Sequence, residues 1–403
     1  MSAKVTQVVI VGGGLAGVET AFSLRRLGWE DDLVVVDVEV ELPYERPPLS
    51  KAILLGKTDA HRIRLRPPEL YEQLGVTRLA GRRATSLDLA QQSVKLSDGT
   101  ALDYHALVLA TGAAPRRLQV PGNTLPGVLM LRTLSDSLAL RSSLTLGVRL
   151  TVVGGGYLGL EVAAAAAQMG ARVTLIEAGN RLLQRSGSRV LGDILANCLE
   201  REGVSIALDE TVACFRGETC VEAVETTSGR LFETDLALVA IGAAPNGELV
   251  HEAGLSGPAG ILVDAEARTS LPNVYAVGDC ANFHDPRFGR HARLESVQSA
   301  TWQARIAAAG ITGTGAPKPK HAYFWSELFD MKIQIAGYAD PSTPSHEELV
   351  GNQAEGLAVY RFQHDRLAAV ECINRPIDFV KAQLLIGRAA RNLVDLKEVK
   401  VES

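Results

Sequence analysis

The feature that most constrains this chain is a strand-to-helix glycine turn that occurs twice. An apolar run, Gln7–Val11, leads into Gly12-Gly13-Gly14-Leu15-Ala16-Gly17 and then a helical pattern from Val18 to Leu27. The same order returns at Leu150–Val153, Gly154-Gly155-Gly156-Tyr157-Leu158-Gly159 and an alanine-rich helical stretch from Leu160 to Met169. After each helix comes another strand pattern ending in an acid: Leu33–Val36 before Asp37, and Arg172–Ile176 before Glu177. In such a turn the first glycine makes the bend, the second lets the backbone approach a pyrophosphate, and the third lets helix pack on strand. Unpaired N–H groups and the helix dipole hold the anion, and the later carboxylate accepts hydrogen bonds from a ribose diol. One copy is a weak signal. Two copies predict two dinucleotides on one chain, and therefore electron transfer between them.

At 403 residues the chain is too long for one ordinary core. A length of roughly 100–200 residues per domain gives two to four domains, with three as the working number. Apolar residues at 46% and charged residues at 22% suit buried sheets rather than disorder. A formal charge of −5 excludes a global pull toward nucleic acid or an anionic membrane. No apolar run approaches the roughly 20 residues that span a bilayer. The start, Met1-Ser2-Ala3-Lys4, lacks the apolar region of a secretory signal, so a cytoplasmic location is expected. The five cysteines, Cys198, Cys214, Cys220, Cys280 and Cys372, form no C-x-x-C pair and no metal-ligand spacing. This speaks against disulfide exchange, which needs two close thiols, and predicts no metal site. Buried, unreactive thiols are expected instead.

Further stretches lie between and after the loops. In Arg46-Pro47-Pro48-Leu49-Ser50-Lys51 two prolines fix the backbone between flanking cations. Leu109-Ala110-Thr111-Gly112 ends an apolar strand, Ala106–Leu109, in a turn able to approach a cofactor, and Ala240-Ile241-Gly242 is its counterpart. Val274-Tyr275-Ala276-Val277-Gly278-Asp279 and Tyr323-Phe324-Trp325-Ser326 complete the set, and Leu294–Ala309 reads as a helix.

With the glycine loops, these stretches resemble the FAD-dependent NADH:ferredoxin reductase family, of putidaredoxin reductase and biphenyl dioxygenase reductase type. The resemblance runs from about Val8 into the C-terminal region. It implies an α/β fold with two Rossmann-like, glutathione-reductase-like dinucleotide domains plus a C-terminal α+β domain. Residues 1–114 and 245–320 would bind FAD, 115–244 would bind NADH, and 321–403 would cover the flavin. The implied activity is hydride transfer from NADH to FAD, then single-electron delivery to an acidic [2Fe-2S] ferredoxin serving a cytochrome P450 or Rieske oxygenase.

The resemblance also implies residue roles. Gly12, Gly14, Leu15, Ala16, Gly17, Arg46, Ala110, Thr111, Gly112, Arg132, Gly278, Asp279 and Val297 would contact FAD. Lys51 would stand near the reactive flavin edge, and Trp325 beside the ring. Gly154, Gly156, Tyr157, Leu158, Gly159 and Gly242 would hold NADH. Glu161 and Glu295 would position the nicotinamide, because hydride transfer needs alignment rather than an acid or base. Glu177 followed by Ala178-Gly179-Asn180 favours NADH over NADPH, with Arg181 the opposing feature. A local basic face, with candidates Arg290, Arg305, Lys318 and Lys320, would steer the ferredoxin. An NADH oxidase and a flavin redox sensor like apoptosis-inducing factor are the alternatives. Cysteine-dependent peroxidases need a thiol near the first glycine unit, and none precedes Cys198.

The chain departs from the family at three points. Asp37 stands where a glycine is usual, so Asp37 or Glu39 would hold the FAD ribose, with Asp37 favoured because it ends the apolar run. Trp302 occupies a usually polar or aliphatic position. Trp325-Ser326-Glu327-Leu328-Phe329-Asp330 varies from the commoner form.

Overall fold

A computed structural model describes residues 6–318, 321–340, 342–352 and 354–398. Chain contacts divide it into two compact units, Met1–Glu45 with Ala60–Ala114 and Ala243–Lys320, and Arg46–Asp59 with Pro115–Gly242 and His321–Ser403.

The first unit is built on a five-stranded parallel sheet in the order Val274–Ala276, Ala106–Leu109, Val8–Val11, Leu33–Asp37, Val76–Ala80. Its central strand is buried along its whole length, as expected where helices cover both faces of a parallel sheet. The helix Leu15–Arg26 begins inside the first glycine turn, three residues earlier than the hydrophobic pattern suggests. The helix expected over Leu294–Ala309 runs Val297–Thr312. Ser296 caps it, its hydroxyl accepting the Ser299 N–H, and a left-handed Gly313 ends it.

The second unit repeats the plan. Its parallel sheet runs Ser205–Ala207, Arg172–Ile176, Arg149–Val153, Leu236–Val239, Val128–Leu129, with the helix Tyr157–Gln168 after the second glycine turn. Each unit also carries a three-stranded antiparallel meander, Ala84–Asp103 in the first and Val212–Glu233 in the second. The chain then forms a five-stranded antiparallel sheet, Tyr323–Leu328, Met331–Gly337, Arg366–Ile373, Gly356–Gln363, His346–Asn352, followed by helices Pro376–Leu385 and Leu393–Glu398. The expected α/β architecture with a C-terminal α+β part is therefore present. Among the described residues no helix is long and apolar enough to cross a membrane.

The Pro-rich segment Arg46–Asp59 groups with the second unit, although it follows the first βαβ motif in sequence. Hydrogen bonds account for this. Ser137 Oγ donates to the Leu49 carbonyl at 2.6 Å, and Arg46 Nη1 donates to the Arg132 carbonyl at 2.6 Å.

Candidate dinucleotide sites

In the first unit each glycine of the turn can be tested by asking what a methyl group would meet. At Gly12, φ is +119° and a Cβ would lie 2.1 Å from the Ala110 carbonyl oxygen. At Gly17 it would lie 1.9 Å from the Gly12 oxygen. Both are glycine because protein backbone leaves no room. Gly14 is different, because nothing lies within 4 Å of its Cβ position. No protein contact requires a glycine there, and the open cradle at a helix N-terminus suits a pyrophosphate.

Asp37 faces this loop. A Cβ at Gly13 would stand 2.1 Å from its Oδ2. The carboxylate is buried and takes the Arg78 Nε and Nη2 donors at 2.9 and 2.8 Å and the Glu39 N–H at 3.1 Å. Burial nevertheless pushes its pKa above the usual aspartate range, with Arg78 pulling the other way. Glu39 is less buried and accepts the Tyr44 hydroxyl.

Gly278, at φ +78°, approaches the same loop. A Cβ there would meet the Ala16 methyl at 2.8 Å, and its N–H donates to buried Gln303 at 2.7 Å. Asp279 and the helix-opening Val297 follow in this unit. Thr111 Oγ1 donates to the Asn246 carbonyl, while Asn246 Nδ2 donates to the Thr111 carbonyl at 2.9 Å. The Glu295 carboxylate pairs with Arg293. Arg305 Nε is committed to Glu19 at 2.9 Å, one of three arginines on that buried acid with Arg26 and Arg66. Burial opposes charge on Glu19, yet Arg305 and Arg26 hold its carboxyl below the normal range. Arg290 and Lys318 are exposed. Lys320 lies outside the described residues. Trp302 is a packing residue: its indole N–H donates to the Pro317 carbonyl at 3.3 Å, Phe283 meets it edge-on, and Arg287 lies 4.7 Å over the ring.

The second unit shows the same glycine logic. A Cβ at Gly154 (φ +114°) would meet the Ala240 oxygen at 2.5 Å and one at Gly159 the Gly154 oxygen at 2.0 Å, whereas Gly156 is open. Glu177 Oε2 accepts the Gly155 N–H at 2.6 Å and Oε1 the Gly179 N–H at 2.7 Å. The nearby Arg181 is turned inward, donating to the carbonyls of Leu182, Gln184, Gly187 and Ser188. Tyr157 and Leu158 open the helix, with the Tyr157 ring against Phe324 at 4.5 Å and its hydroxyl buried without a hydrogen-bond partner among the described residues. Arg185 reaches the Ile241 carbonyl beside Gly242 at 3.4 Å.

A four-residue cluster forms around one acid of the same helix. Glu161, 7% exposed, accepts Lys51 Nζ at 2.8 Å, Ser50 Oγ at 2.5 Å and Ser326 Oγ at 2.6 Å. The two serines were not singled out from sequence, although both lie inside motifs that were. Trp325, next to Ser326, stacks on Tyr323 at 5.8 Å.

Two open glycine cradles, each with an acid against its loop, define a protein that binds two dinucleotides through backbone. The chain belongs to the pyridine nucleotide-disulphide oxidoreductase family, matched over residues 6–304, and carries the reductase C-terminal domain over residues 323–398. It is 37% identical to the probable ferredoxin reductase of Castellaniella defragrans, over 98% of this chain and 97% of that protein. It is also 37% identical to the benzene 1,2-dioxygenase system ferredoxin-NAD(+) reductase subunit of Pseudomonas putida, over 94% and 92% of the two chains. The crystal structure of the covalent putidaredoxin reductase–putidaredoxin complex is similar at a TM-score of 0.93 and 37% identity, covering 98% and 97%. Membership makes the chain an oxidoreductase with FAD and NADH as its cofactors. It keeps the family's nucleotide frame without a disulfide: all five cysteines are free, and three are buried.

Proposed function

We propose that the chain takes hydride from NADH onto FAD and passes the electrons singly to a [2Fe-2S] ferredoxin, which serves a cytochrome P450 or Rieske oxygenase in the cytoplasm. The observation that carries this reading is the pair of glycine cradles whose middle residues, Gly14 and Gly156, no protein atom obliges to be glycine. FAD supplies the conversion between a two-electron donor and a one-electron acceptor. The relatives named as ferredoxin reductases support the acceptor.

In this reading Gly12–Gly17 and Asp37 hold FAD, and Gly154–Gly159 and Glu177 hold NADH. Glu177 accepts the adenosine ribose hydroxyls, and Arg181, committed to four carbonyls, leaves little to attract a 2′-phosphate. Lys51, Ser50 and Ser326 hold the Glu161 carboxyl group in place, so that it orients the nicotinamide carboxamide. Lys51 supplies positive charge near the reduced ring. Arg290 and Lys318 are the candidates for steering an acidic ferredoxin, Arg305 being tied to Glu19.

Stopped-flow reduction by NADH, followed by cytochrome c reduction with and without a [2Fe-2S] ferredoxin, tests the proposal. Rapid flavin reduction and ferredoxin-dependent cytochrome c reduction are expected. Fast oxygen consumption without ferredoxin would point to an oxidase. Slow turnover with a long-lived reduced state would point to a sensor.

A further inference from the structure

The first unit also carries a four-stranded sheet in the order Ser256–Gly257, Gly260–Val263, Ala281–Asp285, Arg290–Ala292. Its last two strands form an antiparallel hairpin in which His284 stands directly opposite His291. Ala281, Phe283 and Asp285 are buried, so the alternation of a strand turns His284 to the outer face, and His291 is exposed. The two ring centres lie 5.1 Å apart with their planes at 80°. Neither ring makes a hydrogen bond or an ion pair among the described residues.

That spacing suits a shared metal ion. An ion held roughly 2.0–2.1 Å from each imidazole nitrogen stands about 3.2 Å from each ring centre, so two rings at a tetrahedral angle have centres about 5.2 Å apart. The hairpin is also tied at its turn. The Asp285 carbonyl accepts the Phe288 and Gly289 N–H groups at 3.1 and 2.9 Å, and its carboxylate takes Arg287 Nε at 2.8 Å. Arg287 in turn lies 4.7 Å over the Trp302 ring. Two imidazoles already held opposite each other have little backbone freedom to lose on binding an ion that needs both.

We infer that His284 and His291 bind one divalent ion of the nickel, copper and zinc group, with solvent completing its coordination. No third His, Cys, Asp or Glu forms a metal-holding group with them among the described residues, so the protein supplies two nitrogens. Imidazole suits these three ions, whereas magnesium and calcium require oxygen ligands. The absence of metal spacing among the cysteines does not bear on the pair, which uses none of the five thiols.

The test uses untagged, FAD-loaded enzyme freed of metal by a chelator and titrated calorimetrically with nickel chloride in a non-coordinating buffer. One equivalent is expected to bind, and magnesium chloride should give no binding heat. His291→Ala, at an exposed position, should weaken nickel binding at least tenfold, and His284→Ala should do the same. His346→Ala, which removes another exposed histidine, should leave it within twofold. Nickel should raise the unfolding midpoint of the wild type and leave that of His291→Ala unmoved, because an ion that binds only the folded pair stabilises the fold. With copper, in a Cys220→Ser background that removes the exposed thiol, electron paramagnetic resonance should show coupling to two imidazole nitrogens. No saturable nickel binding, binding indifferent to His291→Ala, an equal loss in His346→Ala, or copper coupled to one imidazole alone would overturn the inference.

Discussion

Asp37 and Glu177 stand at matching points of the two nucleotide folds, each against the second residue of its glycine turn, yet only Asp37 carries an arginine. Asp37 is sealed, with Arg78 on one oxygen and a backbone N–H on the other. Glu177 is less buried and meets two backbone N–H donors, with no cation on it among the described residues. The glycines themselves are nearly superposable in their constraints. The turn therefore defines the pyrophosphate cradle in both units, and the surroundings of the acid distinguish them. A closed, internally paired acid suits a cofactor that stays. An acid with open access suits one that arrives and leaves with every turnover.

Breaking the closed arrangement should have the largest effect. Arg78→Ala strands a buried carboxylate, and loss of about 3–5 kcal/mol of stability is expected, read from denaturant unfolding of the holoenzyme. A change below about 1 kcal/mol would mean that Asp37 is not sealed.

The open glycines come next. Gly14→Val should give a folded protein that purifies without flavin. Gly156→Val should retain flavin and dithionite reduction but raise the NADH KM about a hundredfold, equivalent to ~2.7 kcal/mol of binding. If either variant fails to fold, as judged by circular dichroism, its side chain has met protein rather than ligand space.

Glu177→Ala removes the proposed ribose acceptor from a partly exposed position. A roughly tenfold rise in NADH KM is expected with kcat and melting temperature little changed. Equal losses in kcat and kcat/KM would instead place the acid in the reaction step.

The smallest effect is in pH dependence. Because burial raises the folded-state pKa of Asp37, the folded chain holds that proton more tightly than the unfolded chain. The stability from this group is complete below the unfolded value and is lost as pH rises through the raised folded value. Relative to Asp37→Asn, the wild-type unfolding midpoint should fall across that acid window and then level off. A constant difference between the two proteins would show that the shift is absent.

The parts readable in sequence were those set by local backbone rules. A glycine turn between a strand and a helix declares itself within a dozen residues, as does Gly278-Asp279 after its strand. Partners joined through space do not. Nothing near Asp37 marks Arg78 as its counterion, and nothing near Glu19 marks Arg305. Arg305 looked like a free surface charge because its partner lies at the other end of the first unit's chain. Trp302 looked anomalous for the same reason: Phe283, Arg287 and Pro317 explain it only once the chain is folded.

The donors on Glu161 come from the Pro-rich loop and from a strand of the C-terminal sheet, while the acid itself rides the helix after the second glycine turn. Three stretches far apart in sequence thus form a single exchange unit for protein engineering. A chimaera that swaps the C-terminal domain but brings a residue without a hydroxyl to position 326, or a truncation before Tyr323, leaves a buried acid short of a donor. Grafting between homologous reductases should therefore move these segments together or preserve both serines and the lysine.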